Sequence, residues 1–238
     1  MSIAENIALV QQRIHAAAQR ARRNPNGIAL MGVTKTVSSD RIGEAYDAGI
    51  RSLGENRVQE FDDKRVALRD LSGIEWHMIG HLQTNKAARA AELFDAVDSV
   101  DSLRLAHKLN SAALQLNKNL PVLIEINIGG EQAKSGVAPG SAELENLLQL
   151  APQLSALEFR GLMTVPPYRD NPEESRPYFR RMKDLFAEIL RRKLPAVKME
   201  VLSMGMSHDF EIAIEEGSTC VRVGTAIFGE RNLARSKD

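Results

Sequence analysis

The sequence has little of several features that mark particular classes of protein. Cys220 is the single cysteine among 238 residues, which excludes an intrachain disulfide and any multi-cysteine metal site. Lysine and arginine number 31 and so do aspartate and glutamate, so no net charge attracts nucleic acid or an anionic membrane. No apolar run reaches the roughly 18 residues of a transmembrane helix. We therefore expect a cytoplasmic protein without nucleic-acid or membrane partners, in which Cys220 packs as a small buried hydrophobic residue.

A regular alternation of helical and strand patterns runs along the chain. Residues 2–22 have apolar side chains at three-to-four spacing, which is typical of an amphipathic helix and not of a signal peptide. Eight strand candidates follow, separated by helical segments that include about 39–48, 57–70, 102–117, 141–151, 173–192 and 207–216. This order and length favour an α/β fold, a single (β/α)8 TIM-type barrel with an additional N-terminal helix. We predict one domain over residues 1–238, with 232–238 as a disordered tail.

A lysine stands at the end of the first predicted strand. The segment is IALMGVTKT, residues 28–36, and Lys35 comes just before a helix-start signal at Ser38 and Ser39. Ligands of barrel proteins bind at the carboxyl ends of the strands. The amine of Lys35 is therefore either a salt-bridge partner or a reactive group.

Two further strand ends carry residues suited to an anion. Ser203 and Ser207 flank a glycine in SMGMS at the end of the seventh strand, and Gly224 and Thr225 follow the eighth. The loops after strands seven and eight commonly bind phosphate in this fold, since their amides and hydroxyls converge on one anion. Ordinary turn chemistry is the alternative, because glycine and serine are common turn residues.

A phosphate site combined with a strand-end amine suggests pyridoxal 5'-phosphate, whose aldehyde forms a Schiff base with lysine. Arg222, in the motif VRVG, is expected to lie in space between the amine and the phosphate site. An arginine facing the pyridine nitrogen only donates hydrogen bonds and cannot accept one from a protonated nitrogen, so it leaves the ring neutral and weakly electron-withdrawing. Alternatively, Arg222 is a structural residue paired with Glu125 or Glu200.

Several ordered motifs together resemble the YggS/PROSC family of pyridoxal 5'-phosphate homeostasis proteins over nearly the whole chain. The motifs are VTKT, GENRVQE, WHMIGHLQTNK, INIGGEQAKSG, GLMTV, LSMGMSHDFEIAI and STCVRVGTAIFGER. The resemblance implies a barrel like the N-terminal domain of alanine racemase, with pyridoxal phosphate bound without established turnover. It gives Lys35 the Schiff-base role, Arg222 the pyridine-nitrogen role, and phosphate contacts to Ser203, Ser207, Gly224 and Thr225. Asn56, His81, Met163, Met204 and Gly205 are implied to surround the ring.

Two local patterns limit what the sequence predicts. Many relatives have a second lysine two places after the first, whereas this chain has Val37, so a second amine at that position is missing. His77 and His81 have the spacing of a helical zinc pair, but Met78 replaces the glutamate of HExxH and the segment reads as a strand. We expect no metal site, with His81 lining the pocket and His77 packed in the strand.

Three classes of function compete. The first is a carrier or regulator of pyridoxal phosphate in vitamin B6 homeostasis, not an enzyme, with apo-enzymes as possible recipients of the cofactor. One barrel uses up the chain, so we expect an open site without the second domain that closes alanine racemases. The second is an amino-acid racemase or lyase of low activity, for which Tyr168 is the nearest candidate for an opposing acid. The third is a phosphosugar enzyme without pyridoxal phosphate. We expect a monomer.

Overall fold

The strands of the barrel follow one another in sequence order. The computed structural model describes residues 1–131 and 133–230, so the predicted tail at 232–238 lies outside the described residues. Eight parallel strands close into a barrel, each paired with its neighbours in the chain and the last paired with the first. They are β1 (Ala29–Val33), β2 (Ser52–Glu55), β3 (Glu75–Met78), β4 (Ala96–Val100), β5 (Leu120–Glu125), β6 (Leu157–Met163), β7 (Val197–Met206) and β8 (Cys220–Val223). The predicted (β/α)8 barrel is confirmed.

Helices precede the barrel and connect its strands. They are α1 (Ile3–Arg20), α2 (Ser39–Asp47), α3 (Val58–Lys64), α4 (Ala87–Leu93), α5 (Leu103–Gln115), α6 (Ala142–Leu150), α7 (Arg176–Arg192), α8 (Phe210–Glu215) and α9 (Thr225–Phe228). Short 3₁₀ segments cover Pro25–Gly27, Thr84–Lys86, Ala151–Gln153 and Pro172–Ser175. The chain thus has the additional N-terminal helix that its periodicity predicts.

Helix α1 begins at a capping box. The Glu5 amide donates to Ser2 Oγ (3.2 Å), and the Ser2 amide donates back to Glu5 Oε2 (2.8 Å), so two amide groups that have no partner within the helix are satisfied. The helix buries its apolar stripe against α8 and α9. The buried side chains are Ile3, Ile7, Val10, Ile14, Ala17 and Ala18. This packing places α1 beside the strands β1 and β8, near the predicted phosphate loops.

Three element boundaries differ from the prediction. The helix expected over 57–70 ends at Lys64 and continues as turns with bonds such as Ala67 N to Lys64 O. The helix expected from 173 starts as a 3₁₀ turn and becomes α-helical at Arg176. Strand β7 extends to Met206, and the Met206 amide donates to Asp209 Oδ1, so α8 starts only at Phe210. Local turn bonds, which periodicity does not reveal, set each of these boundaries.

The core fills the barrel and the space beneath the helices. One cluster joins α4 to α7 to the strands β3 to β7, and a second joins α1, α2 and α8 to β1, β2 and β8. Cys220 is buried, as predicted, and that burial raises the pKa of its thiol to about 12. Over the part of the chain that the structure describes, none of the helices has both the length and the apolar character to span a membrane.

Candidate functional site

Lys35 lies two residues beyond the end of β1, at the carboxyl end of the barrel, and is half-buried. Neighbouring elements fix the backbone on both sides of it. Before it, the carbonyl of Thr34 accepts from Lys64 Nζ (2.9 Å), while Thr34 Oγ1 donates to Glu55 Oε1 (2.7 Å). After it, the amide of Thr36 donates to Glu60 Oε1 (2.5 Å). The strand end therefore presents the lysine from an anchored turn.

The turn after Lys35 is itself unusual. Thr36 has a φ of 62°, a left-handed conformation that is a genuine outlier for a β-branched residue. Such strain persists only where surrounding contacts impose it, and it occurs often at functional sites. Here the bond to Glu60 supplies the contact, and Val37 behind it is buried. Position 37 is thus a core position in this chain.

The predicted phosphate loops meet at Ser207. Its Oγ accepts from the amides of Gly224 (3.1 Å) and Ala226 (3.3 Å), so an oxygen atom sits where two backbone donors converge. A phosphate oxygen is an acceptor of the same kind, and amides at the start of a helix suit it. Thr225 is exposed on the same loop. The residues therefore have the donor chemistry that a phosphate group needs.

Gly205 lets β7 reach this position. Its φ is +93°, and a Cβ built on it lies 2.5 Å from Ala213 Cβ and 2.9 Å from Phe210 Cα. No side chain can be accommodated there without moving α8. The glycine is thus needed to seat the end of β7 on the helix that follows it, and with it Ser207.

Arg222 lies in the barrel interior with 3% of its surface exposed. Its Nη1 donates to Ser203 Oγ (2.7 Å) and its Nη2 donates to the carbonyl oxygen of Thr164 (2.8 Å). Burial lowers the pKa of the guanidinium, while Asp98 and Glu125 act in the opposite direction. These two contacts use two of the five N–H donors of the side chain, which leaves donors for a ring nitrogen.

The structure bears on two expectations about this arginine. Glu200 forms its ion pair with Arg160 (2.9 Å), and Glu125 accepts from Ser135, so neither is the salt-bridge partner of Arg222. The phosphate contact expected of Ser203 stays a prediction. Ser203 is fully buried within β7, four residues before Ser207, and its hydroxyl accepts from Arg222. Ser203 thus orients the guanidinium.

The remaining predicted residues surround the mouth of the barrel. Met163 and Met204 are buried in the carboxyl-terminal halves of β6 and β7, and Asn56 is half-buried just after β2. His81 is mostly exposed, and its Nδ1 lies 3.0 Å from Asp101 Oδ2. A cavity of about 540 Å³ opens beside them. Its lining includes Asn56, Gly80, His81, Glu125, Lys134 and Ser135.

The two histidines of HMIGH do not converge. His77 lies within β3, where its Nδ1 is 3.1 Å from Asp98 Oδ1, whereas His81 pairs with Asp101. Burial lowers the pKa of His77, but the Asp98 carboxylate outweighs it and the pKa is raised. Across residues 1–131 and 133–230, no group of three side chains could hold a metal ion.

Two groups at the site were not assigned a site role from the sequence. One is the ion cluster of Lys64 with Glu55 and Glu60, which anchors the Lys35 turn. The other is Glu125, the last residue of β5, which is buried and lines the cavity. A lone carboxylate in the apolar run PVLIEINI is a signal that could have identified the second, because charged residues are rarely buried without a role.

The chain is similar to one family model and to several curated proteins. A family model described as alanine racemase, N-terminal domain, matches residues 3–232. A pyridoxal phosphate homeostasis protein of Aquifex aeolicus is 46% identical over 97% of this chain and 99% of its own length. One from Escherichia coli K12 is 43% identical over 98% of both chains.

Solved structures give a consistent result. PipY of Synechococcus elongatus, described with PLP bound, has a TM-score of 0.83 and 36% identity, covering 96% of this chain and 100% of that one. Alanine racemase from Streptomyces coelicolor shares the fold at 21% identity and a TM-score of 0.68, and the match covers 94% of this chain but 58% of that one.

Proposed function

The chain belongs to the family of pyridoxal phosphate homeostasis proteins, YggS/PROSC, and from this membership we propose that it binds pyridoxal 5'-phosphate as a Schiff base on Lys35. It acts as a carrier or regulator of that cofactor in vitamin B6 homeostasis, and apo-enzymes are its recipients. Relatives that are 40% or more identical over nearly the full length carry this family name, and PipY is described with PLP bound. The proposal is consistent with both.

One observation supports the assignment most strongly. A strand-end amine lies just after β1, while a buried guanidinium and two converging backbone amides lie in and directly after β8, the strand that pairs with β1. Lys35 supplies the amine, Arg222 the guanidinium, and Gly224 with Ala226 the amides. Pyridoxal phosphate, when bound, supplies an aldehyde, a pyridine nitrogen and a phosphate for these three kinds of group.

The chain's own residues determine how the cofactor is used. Arg222 remains protonated and donates, so a ring nitrogen facing it acts as acceptor and stays neutral. A neutral ring stabilises a carbanion poorly, which suits storage and exchange better than racemisation. Tyr168, the candidate opposing acid, is 72% exposed and stacks on His208 with ring centroids 5.4 Å apart. It therefore does not support the racemase alternative.

Absorbance and reductive labelling test the Schiff base. Protein incubated with pyridoxal phosphate should develop a visible band, and borohydride should remove it while fixing the label on the Lys35 peptide, as read by mass spectrometry. Lys35→Ala should take up no covalent label. Lys108→Ala, which changes an exposed lysine on α5, should be labelled like the unmodified chain. Colourless protein, or label at another lysine, would contradict the proposal.

A second measurement tests the carrier role. The loaded protein should restore activity to a pyridoxal phosphate-dependent apo-enzyme when a scavenging enzyme removes free cofactor from solution. Direct handover predicts reactivation that persists in the presence of the scavenger. Reactivation that disappears with the scavenger would show that the cofactor passes only through solution, which would leave Lys35 as a binding site without direct transfer.

A further inference from the structure

Glu125 is a buried carboxylate that forms no ion pair within residues 1–131 and 133–230. Its Oε1 accepts from Ser135 Oγ (3.0 Å), while Oε2 is buried and has no hydrogen-bond partner among the described residues. The side chain is 7% exposed, and burial raises the pKa of this carboxyl. A buried polar atom left without a partner is destabilising, and more so when it is charged. Such a group requires an explanation, and a ligand or an ordered water is the usual one.

Nearby cations are already engaged. Lys134 lines the same cavity, but its Nζ donates to the carbonyl oxygen of Pro166 (3.1 Å) and lies 2.5 Å from Glu131 Oε2. Arg222 donates to Ser203 and to a backbone carbonyl. Lys134 and Arg222 are thus held by other acceptors, and the second oxygen of Glu125 remains available to a donor that the described residues do not supply.

The cavity is lined by residues from other strands than those that supply the amine, the guanidinium and the phosphate donors. Its polar lining comes from the loops after β2, β3 and β5, including Asn56, His81 and Glu125. Lys35, Ser207 and Arg222 come from β1, β7 and β8. Asn56 and His81, which the resemblance places around the ring, belong to this lining, so the cavity of about 540 Å³ adjoins the space of the pyridoxal phosphate ring. That volume is suitable for a small polar molecule.

We propose that Glu125 and this cavity form a subsite for a small primary ammonium compound, such as an amino acid, held beside the cofactor. The proposal rests on the proposed function for what occupies the neighbouring space. An ammonium group has three N–H donors and one positive charge, so it satisfies Oε2 and neutralises the carboxylate at once. An amine held there is positioned to meet the cofactor that the chain carries.

Carboxyl ¹³C NMR of glutamate-labelled protein tests the subsite without any cofactor. The Glu125 resonance, assigned by its loss in Glu125→Gln, should shift saturably with methylammonium and with L-alanine. The resonance should also titrate at lower pH in their presence. N-acetylalanine, which has no ammonium, should leave it unchanged. A resonance that does not respond to either amine would mean an ordered water only and would overturn the proposal.

Protein loaded with pyridoxal phosphate gives a second readout. The concentration of L-alanine that half-saturates the change in the visible band should rise about tenfold or more in Glu125→Gln, the loss expected for one charge-assisted hydrogen bond. The amount of cofactor bound should stay the same. Glu200→Gln, at the opposite end of the barrel and paired with Arg160, is the matched control and should behave like the unmodified chain.

The outcomes separate the two proposals. A chain that takes up no pyridoxal phosphate but shows a saturable Glu125 shift would contradict the proposed function alone. A chain that forms the visible band but has the same half-saturating amine concentration with and without Glu125 would contradict the subsite alone. The glutamine variant should fold, because it removes a buried ionisable group and keeps the shape of the side chain.

Discussion

Lys64→Met should destabilise the fold strongly, because Lys64 is the counter-ion of a fully buried carboxylate. Its Nζ is 3.1 Å from Glu55 Oε1 and 2.6 Å from Glu60 Oε1, and its side chain is 14% exposed against 0% for Glu55. Removing one partner of a buried ion pair typically costs about 3–5 kcal/mol, since the other charge stays buried without compensation. For a chain of this size that loss corresponds to a lowering of the melting temperature by about 6–20 °C.

The double variant Glu55→Gln, Lys64→Met discriminates between loss of an ion pair and loss of packing. If the uncompensated carboxylate causes the damage, neutralising Glu55 should recover most of the lost free energy of unfolding in urea. Lys198→Met is the matched control, since Lys198 also pairs with a glutamate but is 59% exposed, and it should cost less than about 1 kcal/mol. A loss below about 1 kcal/mol for Lys64→Met, or no recovery in the double variant, would refute this account.

The pH dependence gives a further check on the same variant. Burial raises the pKa of Glu55, although Lys64 and the Thr34 hydroxyl act against it. A carboxyl with a raised folded-state pKa contributes stability that is complete below its unfolded pKa and is lost as pH rises through the folded one. Without Lys64 the ionised form of Glu55 is destabilised further in the folded protein. The loss of unfolding free energy in Lys64→Met should therefore grow from acid to neutral pH.

Three other perturbations probe the barrel and its site. Gly205→Ala should cost about 2–4 kcal/mol in urea unfolding, because a left-handed φ and a 2.5 Å approach to Ala213 both oppose a side chain, and a loss below about 1 kcal/mol would contradict this. Arg222→Glu should change the visible spectrum of the loaded protein by protonating the ring nitrogen; an unchanged spectrum at equal occupancy would show that Arg222 is structural. Asp98→Asn should lower the pKa of His77, as measured by a ¹H–¹⁵N NMR titration. The His77–Asp98 pair supplies stability that is complete below about pH 6.5 and is lost as pH rises through the raised folded pKa, and the variant should lack it. An unchanged titration of His77 would refute the pairing.

Much of the architecture is readable from the sequence because each strand is locally marked. The run 121–128 is continuously apolar apart from two positions, as expected for a strand covered on both faces, and Ser2 with Glu5 marks the start of α1. The early end of the helix at Lys64 is not marked in this way. Turn bonds follow Lys64, whose ammonium donates to the Thr34 carbonyl after β1, to Glu55 in β2 and to Glu60 in α3, and helical periodicity carries no information about the first two acceptors.

The site is predictable to the level of strand ends and no further. Lys35, Ser207 and Arg222 follow from their places after β1, β7 and in β8, since carboxyl ends of barrel strands meet at one face. The sequence does not show that Ser203 contacts the Arg222 guanidinium while Ser207 contacts the amides after β8. The depth of Ser203 along β7 and the carbonyl of Thr164 on the loop after β6 give Arg222 its partners, and only the register between strands brings them together.

Two buried strand-end carboxylates in one barrel show why Glu125 is better explained by a ligand than by structure. Glu55 and Glu125 each end a strand, burial raises the pKa of both, and each has one oxygen without a hydrogen-bond partner among the described residues. They differ in what contacts Oε1. In Glu55 this oxygen lies 3.1 Å from the Lys64 ammonium, whereas in Glu125 it accepts from the Ser135 hydroxyl. Glu55 also faces α3, whereas Glu125 lines the mouth cavity. The fold thus supplies an ammonium to Glu55, which it covers, whereas no ammonium of the described residues reaches Glu125 at the opening, where a small amine could enter.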